Sequence, residues 1–249
     1  MKIAVISPFF NEPLDWIEQC KASVAQQTVA CDHFFIGDSP RSKVPAPATV
    51  IDLPVSVNDF GNTPRAVGSM YAAGLGYEAI AFLDADNMYE PQHIETLVRL
   101  HQKSGAAVVT SRRKFIRLDG SYMAECLTSD GQNFCDTNCL FFTRPAFHML
   151  AQWSFMGKMF SHIGDRVLWQ LIRQSGLTTA HTNEATVLYR ATHEGFYRDL
   201  GELAPEGVKR STDSNIPFAL AQWEKLGHPS LRLVHTYTKY RSPTTGNDT

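Results

Sequence analysis

The sequence predicts an α/β fold, with a mostly parallel central sheet carrying helices on both faces and a less regular second half. Three observations predict it. Short apolar runs alternate with helix-length stretches through residue 111, the pattern of parallel strands joined by crossover helices. Polar residues gather where the apolar runs stop, as they do at the carboxyl ends of strands in open sheets. No repeat or long linker divides the 249 residues, so one domain over residues 1–240 is expected, with a polar, disordered tail at 241–249.

The elements follow in chain order. Residues 2–7 form a β-branched run that reads as a buried strand. Pro13 opens a helix over 14–27, whose apolar positions Leu14, Ile17, Val24 and Ala25 fall on one stripe. Strands are predicted at 32–37 and 49–53, the first broken by Asp38-Ser39-Pro40. A helix rich in small residues at 64–76 leads to a strand at 79–83, a helix at 91–103 and a strand at 106–111. Asp119-Gly120 predicts a hairpin within 114–124. A strand at 138–143, a helix from Pro145, a helix at 165–175 closed by Gly176, a short strand at 187–190 and a helix at 215–226 complete the reading.

Composition narrows the function classes. Apolar residues make up 43% and charged residues 19%, with a net charge of −2, which gives no electrostatic footprint for nucleic acid. No apolar stretch approaches the ~20 residues that span a bilayer, and the first residues run into a strand pattern without a signal-peptide core. The five cysteines, Cys20, Cys31, Cys126, Cys135 and Cys139, are odd in number and lack a Cys-x-x-Cys pair. That argues for reduced thiols in a cytoplasmic protein over a disulfide framework, with a zinc site from Cys135, Cys139 and a histidine as the minor alternative.

The segment from Glu78 to Asn87, which reads EAIAFLDADN, is the most informative. An apolar run ends in two carboxylates spaced i and i+2, which in an extended chain face the same way. Two such acids resist joint ionisation unless a cation sits between them, and oxygen ligands of this kind suit Mg²⁺ or Mn²⁺ bridging to phosphate. The competing reading is a strand end carrying turn-forming acids. Asn11-Glu12 and Asp38 lie at the ends of two other predicted strands and would converge on the same edge.

Three blocks within residues 1–197 carry a family resemblance. The first is an apolar strand with Asn11-Glu12, then Asp38. The second is Gly61-Asn62-Thr63-Pro64-Arg65-Ala66-Val67-Gly68 leading to Asp84-Ala85-Asp86. The third is Asp136-Thr137-Asn138-Cys139 through Arg144, followed by Gly164-Asp165-Arg166. With these the chain resembles a nucleotide-sugar-dependent glycosyltransferase of the GT-A fold, most like glycosyltransferase family 2. It departs from the family at Gly164, where Glu is frequent. The resemblance implies a nucleotide-binding half over residues 1–112 and an acceptor-side half over 113–240. It implies that Pro8, Glu12 and Asp38 contact the nucleoside, Arg65 the nucleotide or its diphosphate, and Asp84 the ribose and metal. It further implies that Asp86 binds Mn²⁺ or Mg²⁺, with His193 as a further metal ligand or diphosphate contact, and that Asp165 is the general base. The implied partners are a nucleoside diphosphate sugar, UDP-linked by default, and a hydroxyl acceptor.

Alternatives stand beside these roles. A carboxylate in hydrogen-bond reach of a sugar hydroxyl removes its proton as the new bond forms, so Asp165 suits a base; in a first helical turn it equally complements the helix dipole. Asp136 is a second candidate base or a binder of donor or acceptor hydroxyls, and His181 an alternative to His193. His162 is a candidate for the acceptor cleft. Trp153, Trp169 and Phe155 read as core more readily than as a sugar-stacking wall. Arg112, Arg113, Lys114 and Arg117 form either an anion-steering cluster or a solvated strand end. Nucleotidyl transfer is disfavoured because the loop after the first strand has no glycine to cradle a triphosphate. Nucleotide-sugar binding without turnover is the third reading.

Overall fold

A computed structural model describes residues 1–39, 44, 48–210, 215–227 and 240–241. Strand β1 (Ile3–Phe9) lies between β2 (Asp32–Gly37) and β4 (Ala79–Phe82), parallel to both, and β3 (Thr49–Asp52) extends the parallel half beyond β2. Every residue of β1 is buried, as expected of an apolar strand covered on both faces.

Beyond β4 the sheet changes direction, which corrects the mostly parallel expectation. Strand β8 (Leu140–Thr143) runs antiparallel to β4, and β6 (Val108–Ile116) antiparallel to β8. The far half of β6 pairs with β7 (Tyr122–Cys126), also antiparallel, through the hairpin at Asp119-Gly120. The long strand β9 (Thr179–Arg190) lies parallel to β6, and the two-residue β5 (Met88–Tyr89) joins β9 antiparallel. A two-residue β10 (Tyr240–Arg241) closes on β7. The mixed sheet arises because β8 is reached through irregular chain rather than a right-handed crossover helix. Two predicted strands were too short: 106–111 continues to Ile116, and 187–190 is the end of the 12-residue β9. Both extensions run through charged or polar residues that hide the period-two pattern. Strand β6 passes through residue 112 without a break.

Helices α1 (Leu14–Ala25), α2 (Asn62–Gly74) and α3 (His93–Ser104) pack on the strands around them. In α1 the buried stripe is Ile17, Cys20, Ser23 and Val24, whereas Leu14 and Ala25 face solvent. Spacing from Ile17 at 3, 6 and 7 residues describes one helical face; Leu14 and Ala25 lie at its margins. Gly68 lets α2 lie close to the sheet: a Cβ there would sit 2.6 Å from Ile36 and 2.8 Å from Ile6. This approach brings the first turn of α2 over the ends of β1 and β4. The stretch after Pro145 is a 3-10 helix (Arg144–Met149) followed by the single-turn α4 (Gln152–Phe155), not one continuous helix. Helices α5 (Gly164–Gln174), α6 (Glu194–Asp199) and α7 (Asn215–Lys225), with 3-10 turns at Thr137–Cys139 and Lys158–Ile163, complete the described elements. The expected disordered tail lies, apart from Arg241, outside the described residues. Among the described residues no helix is long and apolar enough to cross a membrane.

Candidate active site

The chain after β4 turns sharply. The Asn87 N–H bonds the Asp84 carbonyl at 2.9 Å, so Asp84-Ala85-Asp86-Asn87 is a four-residue turn rather than strand. The expected alternation of an extended chain is therefore not what aims the two acids. The turn aims both into one cavity of about 330 Å³ at the carboxyl ends of β1, β2 and β4.

Neighbouring residues hold that turn. Arg65, in the first turns of α2, forms an ion pair with Asp84 through Nη2 while its Nη1 donates to the Phe60 carbonyl at 2.9 Å. Asn138 binds the other side of Asp84, donating from Nδ2 to Oδ2 at 3.0 Å. Beneath the turn, Arg190 donates from Nε to the Asp86 carbonyl at 3.0 Å, and its N–H bonds Asn87 Oδ1 at 2.8 Å. The Asp86 carboxyl is pushed up to about 7, first by burial and then by the Asp84 and Glu12 carboxylates, while Lys209 and Arg190 act the other way. A cation or cationic ligand group would relieve that crowding.

The opposite wall is the loop after Asp38. Asp38 is buried, with Oδ1 accepting from the Val57 N–H and Oδ2 from the Asn58 N–H, both at 2.7 Å. Asn58, Phe60 and Gly61 all have positive φ, at 53°, 58° and 81°. For a bulky side chain such as Phe60 this is a costly conformation, of the kind that persists where surrounding contacts impose it. Glu12 folds back so that its Oε2 accepts from the Phe10 N–H at 2.7 Å. Pro8, Glu12, Asp38 and Arg65 thus line the same cavity as Asp84 and Asp86, together with Tyr189 at the end of β9, Thr192 and His193 just beyond it, and Lys209 on the segment bridged to His193.

The remaining candidates lie elsewhere. His181 bonds Thr110 at 2.8 Å and packs on Gly131. It sits eight residues back along β9 from Tyr189, roughly 25 Å at ~3.3 Å per residue, so His193 and not His181 reaches the cavity. Asp136 is buried in an ion pair with Arg113, caps the 3-10 turn Thr137–Cys139 through the Asn138 N–H, and does not line the cavity. Arg113 is itself buried against the rings of Phe115 and Tyr189, so it is not part of a solvated cluster. Asp165 stands in the first turn of α5, accepting from the Arg166 N–H at 2.8 Å, and is also outside the cavity lining. Burial raises its carboxyl above the usual range, with Arg166 opposing and Asp136 reinforcing the shift. Trp153 and Trp169 are core, while Phe155 is 75% exposed. His162 packs near Phe60, with ring centroids 6.1 Å apart. Cys135 and Cys139 are buried thiols raised by burial, and no group of three His, Cys, Asp or Glu among the described residues is arranged to hold a metal by itself.

No family model and no curated protein matches the chain. Among solved structures it is similar to S. aureus TarS. The TarS 1–349 complex with UDP gives a TM-score of 0.59 at 13% identity, covering 77% of this chain and 61% of that one. A further TarS structure gives 0.57 at 14% identity, covering 80% and 38%. The TarS 1–349 complex with UDP-GlcNAc gives 0.52 at 13% identity, covering 76% and 58%. The chain shares the fold of these TarS structures. It spans less than two thirds of each of these TarS chains.

Within that cavity the donor set can be weighed against a divalent cation. Both Asp84 oxygens are already engaged, by Arg65 and Asn138; Asp86, Glu12 and His193 are the other cavity residues with oxygen or nitrogen atoms that could ligate a cation. Mg²⁺ and Mn²⁺ are commonly held by one or two carboxylates with the remaining positions filled by phosphate and water, so this sparse set fits such an ion only when a phosphorylated ligand is present. Sequence reasoning assigned no role to Asn138, Arg190 or Lys209. Asn138 lay inside a quoted motif, whereas Arg190 and Lys209 had no local pattern to mark them.

Proposed function

We propose that this protein transfers a sugar, with inversion, from a UDP-linked donor to a hydroxyl acceptor in the manner of glycosyltransferase family 2. The observation that carries the reading is the convergence of Glu12, Asp38, Arg65, Asp84, Asp86 and His193 on one cavity beyond the strand ends. The fold shared with a protein solved with UDP and UDP-GlcNAc supports it.

In this reading Asp38 and its backbone-bonded loop present a rigid wall to the nucleoside, with Pro8 and Glu12 beside it. Arg65 fixes the Asp84 carboxylate on the ribose side. Asp86 with His193 would hold Mn²⁺ or Mg²⁺, which when bound neutralises charge on the diphosphate. Asp165, its carboxyl raised by burial, takes the acceptor proton, because a base with affinity closer to neutrality accepts a hydroxyl proton more readily. Attack from the face opposite the diphosphate by a single displacement gives inversion.

The test is calorimetric titration of UDP with and without Mn²⁺, followed by donor turnover in Asp86→Ala. Binding that needs both UDP and Mn²⁺, and turnover lost in a folded Asp86→Ala, support the reading. Turnover unchanged in that variant under chelation removes the metal from it. Binding without transfer is a second reading, favoured by the position of Asp165 outside the cavity lining. Donor hydrolysis unaffected by Asp165→Asn would favour it.

A further inference from the structure

Lys209 has no role in any motif, yet its place in the cavity wall is fixed by backbone. Its N–H donates to the Thr192 carbonyl at 2.8 Å, and its carbonyl accepts from the Glu194 N–H at 2.9 Å, making a parallel bridge to His193. The chain leading to it is anchored as well. Glu202 accepts from Arg117 at 2.6 and 2.9 Å, and the Glu202 N–H bonds the Tyr197 carbonyl at 2.9 Å.

The charges facing the cavity explain why this matters. Among the described residues four carboxylates line it: Glu12, Asp38, Asp84 and Asp86. Among the described residues, its lysine and arginine side chains are Arg65 and Lys209. Arg65 is committed to Asp84, to the Phe60 carbonyl and to Asn62 Oδ1. Arg190 lies beneath the floor with its guanidinium bonded to carbonyls and to Gln19. Lys209 is solvent-exposed, and its ammonium forms no ion pair among the described residues. It nonetheless lines the same cavity as Asp84 and Asp86. A diphosphate entering here brings further negative charge among four carboxylates, and an ammonium with three donors is a suitable point charge to meet it.

We propose that Lys209 is a direct ligand of the donor diphosphate and carries part of the charge that builds on the leaving group. The inference rests on the nucleotide-sugar reading of the cavity. In the transfer step the acceptor oxygen bonds to the anomeric carbon, and the bond from that carbon to the β-phosphate oxygen breaks. The bonding electron pair goes to the phosphate oxygen, and the acceptor proton goes to the base. Lys209 donates a hydrogen bond to the departing diphosphate and remains protonated throughout.

The experiment is calorimetric titration of UDP, and of uridine as the phosphate-free probe, into the wild type, Lys209→Met and Lys209→Arg, with Mn²⁺ and with chelator. Lys209→Gln is the second variant should Lys209→Met not fold. In the condition where wild type binds, UDP affinity is expected to fall about 10- to 100-fold in Lys209→Met, the range of a charge-assisted hydrogen bond. Lys209→Arg regains most of it, uridine binding is unchanged, and the salt dependence of UDP binding flattens. Wild-type UDP affinity retained in Lys209→Met overturns this inference and leaves the nucleotide-sugar reading standing. An equal loss for uridine also overturns it, since the defect would then not lie at the phosphates. Wild type that binds UDP under neither condition overturns both.

Discussion

Asn138 grips Asp84 at two points: its Oδ1 accepts from the Asp84 N–H at 2.6 Å, and its Nδ2 donates to the Asp84 carboxylate at 3.0 Å. The same Nδ2 also donates to Asp136 Oδ1 at 2.8 Å, so one buried amide joins the cavity acid to the Arg113–Asp136 ion pair behind it. Asn138→Ala strands the Asp84 N–H and removes a donor from two carboxylates. A loss of about 2–4 kcal/mol is expected, since each buried group left unsatisfied costs about 1–3 kcal/mol. It should appear as a lower urea midpoint at unchanged slope, together with weaker UDP binding. A midpoint matching wild type would mean that the amide is not holding the turn.

Asp86 makes the cation-free protein sensitive to rising pH. Its folded carboxyl lies near 7, against an ordinary value of 3.8, so between those limits the folded state keeps a proton that the unfolded chain has released. Its contribution to stability is therefore full below about pH 4, declines as pH rises, and is lost above about 7. Urea midpoints of chelated protein at pH 4.5 and 7.5 should differ less in Asp86→Asn than in wild type. An equal pH response in the two proteins would contradict the assigned shift.

His93 acts with the opposite sign. It is fully buried, bonds Thr186 at 2.7 Å and stacks on Tyr89 with ring centroids 3.8 Å apart. Burial lowers it from 6.5 to about 3. The folded state holds the ring neutral while the unfolded chain takes up a proton below about pH 6.5, so its contribution is present above that point and lost progressively as pH falls toward 3. A His93→Phe variant should be less stable at pH 7, having lost the Thr186 bond, yet lose less on acidification to pH 4. Chemical denaturation at the two pH values measures this.

Gly164 stands where a side chain would meet Asn62. A Cβ there would lie 2.9 Å from both terminal atoms of Asn62, whose Oδ1 accepts from Arg65 at 3.3 Å. Gly164→Glu, which installs the residue frequent in family 2, should displace Asn62 and destabilise the protein by about 1–3 kcal/mol, the usual cost of overpacking. The thermal midpoint should drop, and UDP affinity with it because Arg65 is disturbed. A variant as stable as wild type would show that Asn62 yields freely.

The parallel half of the sheet was legible because its strands are short, continuous apolar runs between helix-length stretches. The antiparallel half was not. Strand β9 reads Thr179-Ala180-His181-Thr182-Asn183-Glu184 over its first half, where only pairing to β6 makes it a strand. The acids near Asp84 stood out from the abrupt end of an apolar run, although a turn rather than an extended segment aims them. Asp136 stood out because it opens the third block of the family resemblance, and only the fold reveals that Arg113, 23 residues earlier, engages it. Lys209 was invisible because a lone lysine in a polar stretch carries no pattern; backbone pairing with the His193 segment brings it to the cavity.

The guanidinium of Arg190 ties together chain segments from far apart: Gln19 on α1, the Asp86 turn and Leu118 of the β6–β7 hairpin, while its aliphatic and planar parts lie over Trp16. The floor of the cavity is thus assembled from segments far apart in the sequence. A truncated or partly folded product ending before β9 lacks the keystone, so capture of ligand becomes a readout of complete folding and not of the N-terminal half alone.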